Sequence, residues 1–317
     1  MAIRVASSID SYGYMPRYDT AEAAGVRHVP YTFQGSSYGY VCGGENGISN
    51  PTNIISRFSL TTDGNDADVG DLSDTRSFPA GQTSSTHGYT SGGGTEDNVI
   101  DKFLFSTTAN ASDVGDLSVA RQQCAGQSSS AYGYTSGGRV SSDLNTIDKV
   151  SFSTDGNATD VGDLTAARRF QAGQTSDTYG YNSGGGYPSP YDVIDKFSFS
   201  TDGNATDVGD LTVARRSSGG QSSSDYGYAS GGDTGSNSNV IDKFSFSTDG
   251  NATDVGDLFE GRTYPAGQSS TTHGYTSGGD TGSASNVIDK FTFASDANAT
   301  DVGDLTESRY GSAGQQY

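Results

Sequence analysis

The chain has no tryptophan, two cysteines and seven prolines in 317 residues. Positive charge is scarce: 18 Lys and Arg stand against 38 Asp and Glu, a formal net charge of −20. That balance argues against a phosphate-backbone binder, which needs a basic patch, and against docking on an anionic membrane surface. No run approaches the ~20 apolar residues of a spanning helix, so no membrane insertion is expected. The opening segment, MAIRVASSID, lacks the apolar core of a signal peptide, so none is expected there. Hydrophobic residues make up only 32% of the chain, and a composition this polar borders on that of disordered segments.

What is present argues otherwise. An aromatic-Gly-Tyr element recurs with its glycine at Gly39, Gly88, Gly133, Gly180, Gly227 and Gly274, in steps of 49, 45, 47, 47 and 47 residues. The fullest copies read NVIDKFSFSTDGNATDVGDLTVARRSSGGQSSSDYGYASGG. A period in this range marks units that cannot bury their own faces and stack on their neighbours. The cysteines do not follow the period. Cys42 replaces the Ser of TSGG and Cys124 sits before the Gln of GQ, so they read as separate small thiols rather than a disulfide framework.

One copy reads as four short strands. RRSSGGQSSS is small-residue-rich, and YGYASGG alternates aromatics. In NVIDKFSFS, Val240, Asp242 and Phe244 fall opposite Ile241, Lys243 and Ser245, the period-2 pattern of a strand. STDGNATD is a turn with Asp-Gly as its local signal, and TDVGDL is a last strand. Helical periodicity is absent from the repeats. Four-stranded sheets repeated radially at this period predict an all-β propeller.

Three features together resemble the kelch repeat. They are the double glycine after an aromatic strand, such as Gly231-Gly232; the Ile-Asp-Lys-Phe strand, where kelch has Val-Glu-x-Tyr; and an Arg after the last strand, at Arg76, Arg121, Arg168, Arg215, Arg262 and Arg309. Kelch repeats carry a Trp before that Arg, and here the slot holds DVGDL. The wording IDKFSF…DGNATDVGDLT…R…AGQSSSTHGYTSGG also resembles repeat arrays in virion proteins of marine phages, cyanophages especially. The resemblance covers nearly the whole chain after about residue 27. It implies a virion location, in a tail, tail fibre or capsid, with other virion proteins and a host-surface glycan or receptor as partners.

Six DVGDL elements, beginning at Asp68, Asp113, Asp160, Asp207, Asp254 and Asp301, are followed by a further inner-strand copy ending at Tyr317. With an inner strand of its own at about 28–36 in the first blade, that copy predicts a seventh blade. Residues 1–26 would close it, leaving 27–317 as the repeat array. The alternative is six blades, residues 1–26 forming an attachment arm and the C-terminal strand being displaced.

The turns QSSSxYGY and TDGNATD hardly change between copies. The loop after the double glycine and the segment after DVGDL change most, and in a four-stranded blade these emerge on one face. That face is the expected binding surface, with Phe78, Arg139, Phe170, Tyr187, Tyr191 and Tyr264 as contact residues. Exposed aromatics among polar loops suit flat sugar faces or a protein partner.

Catalysis needs a constellation that breaks the repeat, and none stands out. His87 and His273 only replace the first Tyr of YGY. The Cys and His positions lack metal-ligand spacing, so no cofactor is expected. Asp202-Gly-Asn204-Ala-Thr-Asp207 alternates oxygen ligands as calcium loops do, but turn chemistry explains the same residues. The expectation is therefore a non-enzymatic virion protein that binds a host glycan through its variable loops. The alternatives are a purely structural adaptor between virion subunits and a propeller-type glycan-active enzyme.

Overall fold

The computed structural model describes residues 34–47 and 50–317. They form six four-stranded antiparallel sheets set around an axis, a β-propeller. Blade 2 is representative. Its inner strand is Ala80–Thr83, followed outward by His87–Ser91, Val99–Leu104 and Ser112–Asp116. Blades 3, 4, 5 and 6 repeat the pattern over 125–163, 172–210, 219–257 and 266–304.

The number of blades corrects the expectation of seven. The C-terminal strand Ala313–Gln316 does not begin a new blade. It pairs with Tyr38–Cys42, Tyr40 opposite Gln315, and takes the inner position of blade 1. Ile54–Ser59 and Ala67–Asp71 complete that blade. Joining the two ends of the chain in one sheet leaves no open edge at the seam. The inner strand expected at about 28–36 is displaced from that role, and its residues 28–33 lie outside the described residues. So does the segment 1–26, expected to close the ring or serve as an arm.

Alternation along each third strand is real, but both of its sides are buried. Ile241 joins Tyr228 and Leu258 against Phe291 and Ala299 of blade 6. Phe244, on the opposite side, packs with Ala229 and Ala252 against Tyr181, Ile194 and Leu211 of blade 4. A blade is thus a sheet with a neighbour on each face. With no tryptophan, four of the six interfaces are filled by one tyrosine against two phenylalanines: the Tyr228 ring lies 5.4 Å from Phe291 and 4.9 Å from Phe293.

Burying both sides forces polar residues inside, and the arginines among them are paired with carboxylates. The six arginines after the outer strands are all 0–1% exposed. Arg262 donates to the carbonyls of Gly278 and Val287 and reaches Asp289 at 2.9 Å, tying its linker to the next blade. Arg121 and Arg168 meet Asp148 and Asp195 at 2.9 and 3.0 Å. In blade 1 the strand aspartate is replaced by Ser56, and a carboxylate appears instead in the turn, at Asp66, where other blades have Ala. Asp66 Oδ2 lies 3.9 Å from Arg309 Nη2. The carboxylate has moved, but the buried cation keeps one.

At the axis the inner strands approach so closely that a side chain would not fit. A Cβ on Gly220 would lie 2.2 Å from the carbonyl oxygen of Gly173.

Candidate functional site

An eight-residue linker joins each outer strand to the next inner strand, as at 211–218 between blades 4 and 5. Antiparallel order places these linkers and the loops after the double glycines at one end of the barrel of blades. The near-constant turns, such as 200–205, lie at the other end. The sequence-variable segments therefore share a face.

The last part of each linker turns onto the axis. Phe78, Gln123, Phe170, Ser217, Tyr264 and Gly311 all have left-handed backbones, φ 55–63°. Each N–H donates to the carbonyl of the corresponding residue in the preceding blade, and Phe78 donates to Gly311, closing a ring of six hydrogen bonds of 2.7–2.9 Å. For residues with a Cβ this conformation costs about 1–2 kcal/mol each, so the ring and the packing above it must offset several such costs. Aromatics occupy alternate blades. Phe78, Phe170 and Tyr264 converge with ring centroids 5.2–5.9 Å apart, nearly edge to face, and Tyr310 joins at 6.1 Å from both Phe78 and Tyr264. Gly311 leaves room for this: a Cβ there would lie 2.6 Å from the Phe78 ring. The four rings are half-buried and form an aromatic floor at the centre of the face.

Against the floor lies a small cavity of about 80 Å³, lined by the six residues of the backbone ring and by Cys124, Gln171 and Ser312 among others. Gln123 Oε1, Gln171 Oε1 and Ser217 Oγ are buried in its lining without a protein hydrogen-bond partner. A wider groove, about 630 Å³, opens between the loops of blades 1 and 2, and its walls carry Glu45, Asp74 and Glu96. Tyr310 Oη donates to Glu45 Oε2 at 2.6 Å. Burial first, then this carboxylate, pushes the Tyr310 hydroxyl well above the usual tyrosine range.

Of the residues expected on this face, Phe78, Phe170 and Tyr264 come together on the axis. Tyr187 lies to one side and is 54% exposed. It connects to the floor through Arg169, whose guanidinium carbon lies 4.1 Å from the Tyr187 centroid and 5.5 Å from that of Phe170. Tyr191 is exposed but is not part of the floor; it lies over Gly186 of its own loop. Arg139 forms a backbone bridge with Gln122 on the rim.

Sequence reasoning did not single out Arg169, Arg216 or Tyr310. Their signal lies in the slot after the buried arginine, which reads Ser77, Gln122, Arg169, Arg216, Thr263 and Tyr310 across the copies. It also missed Phe259, which at 67% is the most exposed large apolar side chain described.

The opposite face is a lattice. Lys102, Lys149, Lys196, Lys243 and Lys290 each reach an aspartate of the next blade's turn at 2.5–2.7 Å. The Asn of each Asn-Ala-Thr or related turn accepts the N–H of the neighbouring outer strand, as Asn204 does from Asp163 at 3.1 Å. The oxygen considered for calcium thus has a structural partner. Among the described residues no group of three or more His, Cys, Asp or Glu gathers as a metal set.

No family model matches the chain. No curated protein matches it either.

Proposed function

We propose that this chain is a non-enzymatic binding protein that takes a saccharide on the axial aromatic floor of its variable face. The observation that carries the reading is the convergence of Phe78, Phe170, Tyr264 and Tyr310. Half-exposed rings held rigidly by a closed backbone ring offer apolar area at little ordering cost, which suits the C–H face of a sugar. Tyr187 extends that area outward. The likeness of the repeat wording to phage virion arrays is the ground for a setting on a virion, with a host-surface glycan as ligand. Many copies on one particle would turn weak single contacts into firm attachment.

A second reading, an adaptor between virion subunits, draws on the exposed Phe259 and Val213, which stand on neighbouring linkers of the same face. The two are separated by an immobilised glycan panel with wild type and Phe170→Ala. Saccharide binding that falls by at least roughly tenfold in the variant, with the melting temperature retained, supports the floor. A folded wild type that binds no saccharide but co-purifies with another virion protein overturns it.

A further inference from the structure

The six repeats act as internal controls for one another at the rim. Each residue after the buried arginine meets, through a backbone hydrogen bond, the residue after the next blade's double glycine. The pairs are Ser77–Gly94, Gln122–Arg139, Arg169–Gly186, Arg216–Asp233, Thr263–Asp280 and Tyr310–Glu45. Blade 5 shows how the protein satisfies an arginine in this slot: Arg216 donates through Nε and Nη2 to Asp233 Oδ2, at 3.0 and 2.8 Å. In blade 4 the partner is Gly186, which offers no side chain.

Arg169 accordingly lacks the two-bond pairing that Arg216 makes. Its side chain is only 12% exposed, held between the Phe170 and Tyr187 rings. Its Nε is buried with no hydrogen bond and makes only a long ion pair, 3.5 Å, with Asp143 Oδ1. Its terminal nitrogens have no hydrogen bond among the described residues. The pair next to it repeats the anomaly, because Arg139 faces the neutral Gln122 and bridges by backbone to Asp143. Asp143 is thus both the carboxylate nearest Arg169 and a backbone partner of Arg139, while the far side of the face carries Glu45, Asp74 and Glu96. An arginine fork beside an aromatic platform matches an oxyanion attached to a ring.

We propose that Arg169, assisted by Arg139, forms a subsite for the oxyanion of an acidic saccharide, a carboxylate or a sulfate ester, whose sugar ring lies on Phe170 and Tyr187. This rests on the saccharide-binding reading above and names its ligand class. In it Arg216 is a positioning residue: it stacks at 4.9 Å on Tyr187 and donates to the Pro188 carbonyl, fixing the loop.

The test is the full chain against three immobilised pyranosides of the same ring: neutral, carboxylated at the exocyclic carbon, and sulfated. Wild type is expected to prefer an acidic form, and Arg169→Gln to lose roughly 10- to 100-fold for that form alone. Arg169→Lys should restore only part, because an ammonium lacks the fork. Arg139→Gln, at a more peripheral position, should lower the same preference and serves if Arg169→Gln fails to fold. Whether the carboxylate or the sulfate binds better names the source of the oxyanion. Equal binding of neutral and acidic forms, or a preference unchanged in both variants, overturns the subsite while leaving the aromatic floor standing. No binding of any form by folded wild type overturns both.

Discussion

The two faces of the propeller are built from the same repeats and solve different problems. On the constant face the same polar pairings tie blade to blade: lysine to aspartate, asparagine to backbone, copy after copy. On the variable face the backbone ring is just as regular, yet the side chains change from one blade to the next, and some keep a buried polar atom without a hydrogen bond, Arg169 Nε among them. Separating backbone support from side-chain identity lets one face change without disturbing the closure of the ring. The difference teaches that regularity in this chain marks support, and that the informative positions are those where a repeated pairing is left incomplete.

The largest effect that breaks the comparison is alkaline pH, which strikes the repeated interior. Burial pushes the hydroxyls of Tyr89, Tyr134, Tyr181, Tyr228 and Tyr275 up to about 12. The unfolded chain ionises them near 10, so the stability is whole below pH 10 and is lost as pH rises from 10 to 12. Each tyrosine accounts for on the order of 2 kcal/mol, and the set is enough to unfold the domain. Thermal melts from pH 8 to 11.5 should show a melting temperature that is level at first and then falls steeply past pH 10. A level profile throughout would contradict the buried tyrosine interfaces.

A smaller effect sharpens it. Asp66→Ala strips Arg309 of its carboxylate and should cost about 3–5 kcal/mol by denaturant titration. Adding Ser56→Asp, which recreates the arrangement of the other five blades, should recover most of that. If the double variant is no more stable than the single one, the moved carboxylate is not what the buried arginine requires.

Much of the architecture was legible in the sequence. The 47-residue period, the alternation in VIDKFS and the invariant arginine follow from local pattern, and grouping the variable segments on one face follows from antiparallel order. Blade number was not legible, because AGQQ reads as an inner strand wherever it pairs, and only ring closure decides that its partner is Tyr38–Cys42. The left-handed axial ring was hidden as well: five of its six residues are not glycine, so the usual signal for positive φ is missing. Phe78, Phe170 and Tyr264 were found by their variability, but their convergence depends on the alternation of large and small residues around a closed ring. Arg169 was missed because its significance lies in the residue it faces, Gly186, seventeen positions on.

The most direct test of the account is hydrogen exchange of the full chain with and without the saccharide that binds best. The account predicts slowed exchange in the linkers around 76–79, 168–171 and 262–265 and in the loop 186–192, with the turns at 154–157 and 201–204 unchanged. Protection confined to those turns, or spread over the constant face, would contradict it.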